Sequence, residues 1–98
     1  MPQPKIALKQ GTAVKIQTVL DQDDPDSVLI QIEDPYETIK VAFVQMSKVA
    51  PNVFSYTWQT TSTSDTDSAG TYRVTIKATY GQYTSVDQTF FELEDIDP

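Results

Sequence analysis

The chain has 98 residues, 39% of them hydrophobic and 21% charged, which suits a single domain over residues 1–98 with one core. Seven basic against fourteen acidic residues give a formal charge of −7, which repels phosphate backbones and anionic lipid and so argues against nucleic-acid or membrane-surface partners. With no cysteine and no histidine, disulfides, thiolate chemistry, Ser-His-Asp and Cys-His arrangements and the common zinc sites are all closed to it.

The first residues, MPQPKIALKQ, lack the apolar h-region of a secretion signal. The expectation is either export as part of something larger or use without classical export. No apolar run approaches the ~20 residues that cross a bilayer. This opening reads as a short arm before a core of about residues 12–93. From there the apolar positions repeat every second residue, the period of a half-buried strand.

AVKIQTV puts Val14 and Ile16 on one face, and SVLIQIE does so with Val28, Ile30 and Ile32. TIKVAFV aligns Ile39, Val41 and Phe43, and VFSYTWQT aligns Phe54, Tyr56 and Trp58. TYRVTIKATY aligns Tyr72, Val74, Ile76, Ala78 and Tyr80. A last strand from Tyr83 to Leu93 is expected to bury Val86 and Phe90, with the adjacent Phe91 marking a bulge or a second covered face. Asp-Pro pairs in DQDDPD and EDPYE, the break KVAPN, the polar loop TSTSDTDSAG and the hairpin glycine Gly81 separate these runs. The expected fold is all-β: an antiparallel sandwich of about seven strands, ended by a second short arm, EDIDP.

GTYRVTIKATYG resembles the penultimate strand of fibronectin type III and immunoglobulin-like domains, where a Tyr-x-Val-x-Ile-x-Ala pattern precedes the last hairpin. The resemblance implies that Tyr72 is the corner tyrosine whose hydroxyl bonds back to upstream backbone, with Ser68 where aspartate is usual and Asp67 displaced by one. It also makes Val74 a core residue in the place of the antibody cysteine, and Trp58 a core aromatic. VLIQIEDPYETIKVAFVQM followed by VFSYTWQT is similar to macroglobulin-type and bacterial immunoglobulin-like domains. The likeness runs over about residues 12–93 and speaks for fold more than function.

Chemistry is sparse. Gly11, Gly70 and Gly81 are isolated, so no phosphate-cradling loop exists, and among fourteen acids no carboxylate pair is marked as an acid and base. Asp21, Asp23, Asp24 and Asp26 form an acidic loop that could offer calcium hard oxygens, with Asp65, Asp67, Glu92, Glu94 or Asp95 as distant ligands. EF-hand spacing fails there, because Pro25 stands at the third ligand position and no glycine or closing glutamate follows. The simpler reading is a solvated turn whose aspartates cap backbone amides. No cofactor is expected.

Candidate protein-binding residues are Tyr36 after its Asp-Pro turn, Tyr83 beside Gly81 at the hairpin tip, and Phe91 if the last strand is an edge and turns it outward. Tyr80, on the other side of Gly81, reads more simply as the core end of its strand. The functional expectation is a non-catalytic module acting through protein contacts. One setting is an accessory structural protein of a tailed virus particle (capsid decoration, neck or tail), assembled in the host cytoplasm beside other virion subunits, with a homo-oligomer on a lattice as one form. The alternative is an immunoglobulin-like repeat of a bacterial or archaeal cell-surface or adhesion protein, exposed outside the cell among surface-layer subunits. An enzyme is the third and least supported class.

Overall fold

The computed structural model describes residues 7–60 and 69–94. Within them lie the strands β1 Ala7–Lys9, β2 Ala13–Val19, β3 Ser27–Glu33, β4 Ile39–Gln45, β5 Ser47–Ala50, β6 Val53–Gln59, β7 Gly70–Tyr80 and β8 Tyr83–Glu94. A five-stranded sheet in the order β1-β8-β7-β3-β4 faces a three-stranded sheet β2-β6-β5, giving an all-β, curled partial sandwich. Pairing is antiparallel throughout except that β1 runs parallel to β8.

The alternation read from the sequence decides which face of the central strands is buried. Val28, Ile30 and Ile32 of β3 lie directly opposite Ala78, Ile76 and Val74 of β7, and all six are buried. Val14 and Ile16 of β2 and Phe54 of β6 meet them from the other sheet. Each such aliphatic side chain contributes about 1.5–3 kcal/mol on full burial, and this core has no disulfide to assist it. At one end an aromatic cluster closes the sandwich. The rings of Tyr72 and Phe91 stack with centroids 5.2 Å apart, and Trp58 tilts against them at 5.7 and 6.4 Å. Gly70, at the start of β7, lies so close to the ring of Pro35 that an added Cβ would come within 2.5 Å of Cγ.

The chain changes sheets at Met46, which is buried between β4 and β5 and donates its amide to the Val28 carbonyl at 2.8 Å. Neither β5 nor β1 was expected. The first falls in the KVAPN break and the second in the N-terminal arm, and at four and three residues neither is long enough to show a clear alternation.

Two strands present different faces from those expected. In β4, Val41 is buried but Ile39 and Phe43 point to solvent, 52% and 40% exposed. The pairing with β3 slips twice, between Ile30 and Ile32 and between Ile32 and Glu33, and each slip reverses the parity of the side chains. In β8 no slip occurs: its pairing with β7 is continuous from Gly70↔Leu93 to Tyr80↔Tyr83. One unbroken strand can send only one parity inward. Phe91 and Leu93 take the core, and Val86 and Phe90 are thereby turned out, at 59% and 52% exposure. The expectations that Val86 and Phe90 are buried, and that Phe91 faces outward, are corrected accordingly.

Candidate protein-contact surface

The end of the sandwich opposite the aromatic cluster is built by the aspartate loop. Residues 20–26 cross from β2 to β3 and are tied to both sheets through backbone and short polar side chains. Leu20 donates its amide to the Asn52 carbonyl and accepts the Asn52 side-chain amide at its own carbonyl, at 2.7 and 3.1 Å. Asp24, at φ 55°, donates its amide to the Pro51 carbonyl and holds Lys48 Nζ at 3.0 Å. On the other sheet Asp26 donates its amide to the Thr79 carbonyl, and its carboxylate accepts the Gly81 amide at 2.6 Å.

Gly81, at φ 59°, is the residue that lets β7 turn tightly into β8. The Tyr80 hydroxyl donates to the Gln22 carbonyl at 2.8 Å. Partial burial, with Asp21 and Asp23 nearby, holds this phenol above its ordinary range, because each disfavours the phenolate. Asp24 and Asp26 are thus engaged in tying the loop down. Among the described residues no three acidic side chains come together as a metal site. Asp65, Asp67, Ser68 and Asp95 lie outside the described residues.

β8 changes character along its length. At Glu92 and Leu93 it is paired on both sides, by β7 and by β1, and Glu94 pairs with β1 alone. From Tyr83 to Phe91 β7 is its only strand partner among the described residues, and every residue from Tyr83 to Phe90 is exposed, on both faces. The outer edge of β2 is likewise without a strand partner among the described residues. Between these two edges the sandwich opens into a cleft of about 320 Å³, with Thr18 to Asp21 on one wall and Ser85 to Asp87 on the other. An open row of backbone donors and acceptors is a template for another strand.

The residues singled out in the sequence are not gathered into one place. Tyr83, 71% exposed, stands at the aspartate-loop end beside a depression of about 210 Å³ that includes Leu20, Asp21 and Tyr80. Tyr36, 76% exposed, stands at the other end, in the β3–β4 turn. There the Asp34 carboxylate accepts the amides of Tyr36 and Thr38 at 2.9 and 2.8 Å, an Asx turn that fixes the tyrosine's backbone. Phe91, 4% exposed, is in the core.

The exposed apolar side chains that sequence reasoning assigned to the core are Phe90, Val86, Ile39 and Phe43. Phe43 lies beneath the Lys77 ammonium, 5.3 Å from its ring centroid. The signal for Phe90 was the pair Phe90-Phe91 itself: only one of two adjacent residues on an unbulged strand can face the core. Reading Leu93 together with Tyr72 as the core set would have chosen Phe91.

No protein-family model and no curated protein matches the chain. Among solved structures, CopC from Methylosinus trichosporium OB3b superposes with a TM-score of 0.67 at 13% identity, over 99% of this chain and 90% of that one. An engineered protein gives 0.67 at 18% identity over 92% of this chain, and the endo-beta-1,4-mannanase from Thermotoga petrophila gives 0.64 at 10% over 95%. In both of these the chain spans 18% of the longer protein. At such identities the likeness shows the fold alone, a curled and mostly antiparallel β-sandwich. No helix among the described residues is long and apolar enough to cross a membrane.

Proposed function

We propose that this chain is a non-catalytic immunoglobulin-like module that acts through protein–protein contacts, as an accessory structural protein of a tailed virus particle. The immunoglobulin reading is supported by strand order. The row β2-β6-β5 corresponds to strands B, E and D of that fold, and β8-β7-β3-β4 to G, F, C and C′. Among the described residues the β1 segment joins the second sheet, and no strand flanks β2 on its outer side. The observation that carries the contact reading is the half of β8 from Tyr83 to Phe90, exposed on both faces and paired on one side. A core without cysteine needs no oxidising compartment, which suits assembly in a host cytoplasm. Many copies on a lattice turn modest individual contacts into firm attachment.

A second reading is a repeat of a bacterial or archaeal cell-surface protein. It is favoured by the mannanase and engineered-protein superpositions, in which this architecture forms 18% of a longer chain. Mass spectrometry of density-purified particles and of cell envelopes from the source distinguishes the two. Peptides of this chain at stoichiometric level in particles support the first reading, and peptides confined to envelopes support the second. Their absence from both overturns the assembly role.

A further inference from the structure

We infer that the outer face of the five-stranded sheet is a self-association surface, on which a second copy of this chain stacks about a two-fold axis parallel to the strands. Continuous registers across β8, β7 and β3, and the β3–β4 pairs on either side of the slips, place its side chains in rows. One row runs Phe90, Arg73, Glu33, Ile39 across β8, β7, β3 and β4. Another runs Val86, Lys77, Leu29, Gln45, with Phe43 under the Lys77 ammonium. The face thus carries Phe90 and Val86 on β8, with Gln88 between them, and Ile39 and Phe43 beside Gln45 on β4, and it is charged along its middle. Arg73 grips Glu33 there with Nη2 at 2.8 and 2.9 Å from the two carboxylate oxygens. The outer face of the three-stranded sheet is polar along Lys15, Gln17, Ser55 and Thr57 and apolar at one end, where Val19 lies opposite Val53.

A two-fold axis between β7 and β3 lays β8 of one copy on β4 of the other, and β7 on β3. Row heights are preserved by that operation. Phe90 then meets the second copy's Ile39, and Arg73 meets the second copy's Glu33. In the other row Val86 meets the second copy's Gln45, and Lys77 lays its aliphatic stem on the second copy's Leu29. In the first row apolar covers apolar and guanidinium faces carboxylate, so that row is complementary to itself in the way a two-fold interface requires.

Charge also favours a second copy over a basic partner. The chain carries −7, yet these rows hold Arg73 and Lys77 against the single acid Glu33: a basic partner meets net positive charge there, whereas in a second copy each Arg73 has a Glu33 to face. Four strands at about 4.8 Å spacing and seven residues at about 3.3 Å give roughly 450 Å² per copy before side-chain relief. That is below the roughly 800 Å² per partner of a standard stable interface, so the dimer is weak and concentration-dependent. The inference does not depend on which larger assembly the chain joins.

The test uses sedimentation of the whole chain across a concentration series, with Phe90→Glu, Ile39→Lys and an equimolar mixture of the two. Both positions are half exposed and each new charge has an opposite neighbour, Arg73 or Glu33, so both variants fold; thermal melts verify this. The wild-type chain is expected to approach twice its 11.0 kDa mass at high micromolar concentration. Each variant alone loses at least about tenfold in association, about 1.4 kcal/mol. The mixture recovers it, because the two new charges then face one another across the axis. Val86→Asp supplies an independent loss on the same face. A wild-type chain that stays monomeric, a variant that still dimerises, or a mixture no better than its components overturns the proposal.

Discussion

The two ends of the sandwich are closed by different means. At one end Tyr72, Phe91 and Trp58 interlock beneath the β3–β4 turn, and Pro35 packs on Gly70. Closure there is by dry aromatic contact, with Tyr72 and Phe91 buried. At the other end the aspartate loop spans the sheets with backbone hydrogen bonds and exposed carboxylates, and Leu20 and Tyr80 pack only part-buried against the core. The contrast separates where this molecule keeps its stability from where it keeps its accessible surface. Burial fixes the first end. The second is held by bonds that compete with water, each worth about 0.5–1.5 kcal/mol. β8 joins the two regimes, deep in the aromatic cluster at Phe91 and exposed by Phe90.

Truncating the neighbouring phenylalanines probes this contrast with the largest expected effect. Phe91→Ala is expected to cost about 3–5 kcal/mol in denaturant unfolding, whereas Phe90→Ala at low protein concentration costs less than about 1 kcal/mol. Equal costs would show that β8 does not send a single parity into the core. Next comes Gly70→Ala. The added methyl would meet the Pro35 ring, and the φ of 138° is one that side-chain-bearing residues rarely adopt. A loss of about 2 kcal/mol or more is expected, read as a lower denaturation midpoint with an unchanged slope.

The smallest effect belongs to the polar end. Tyr80→Phe removes one exposed hydrogen bond to the Gln22 carbonyl and should cost no more than about 1 kcal/mol at neutral pH. Its pH dependence is the more specific readout. The folded state binds the phenol proton more tightly than the unfolded chain does, so the stabilisation is complete below the unfolded value of about 10 and is lost as pH rises through the higher folded value. Melting temperatures of the wild type and Tyr80→Phe should therefore converge only in alkaline solution, above about pH 10. Convergence at lower pH would contradict the assigned environment.

How much was legible in the sequence follows the same division. β2, β3, β6 and β7 keep regular pairing, so their alternation named the buried set correctly: Val14, Ile16, Val28, Ile30, Ile32, Phe54, Val74 and Ile76. Where register slips, as in β4, parity no longer reports the face, and Ile39 and Phe43 were misassigned. In β8 the pattern was ambiguous, because Val86 and Phe90 share one parity while Phe91 and Leu93 share the other. Only the facing partners, Tyr72 at Phe91 and Gly70 at Leu93, decide between them. The aspartate loop was legible as a turn, but not the bond from Asp26 to the Gly81 amide, which spans 55 residues of sequence. Tyr36 and Tyr83 were read as exposed loop aromatics and stand so, at opposite ends. The outer-face rows were invisible, since they exist only once four strands are in register.

Residue-resolved amide hydrogen exchange along β8, in dilute protein, is the decisive test of the division between its two halves. Slow exchange is predicted for the amides of both Glu92 and Leu93, where strands flank both sides, and alternating slow and fast exchange from Tyr83 to Phe90, where β7 alone accepts the bonds. Uniform protection of that outer half would mean that its edge is already covered within the chain, and would contradict an open edge there.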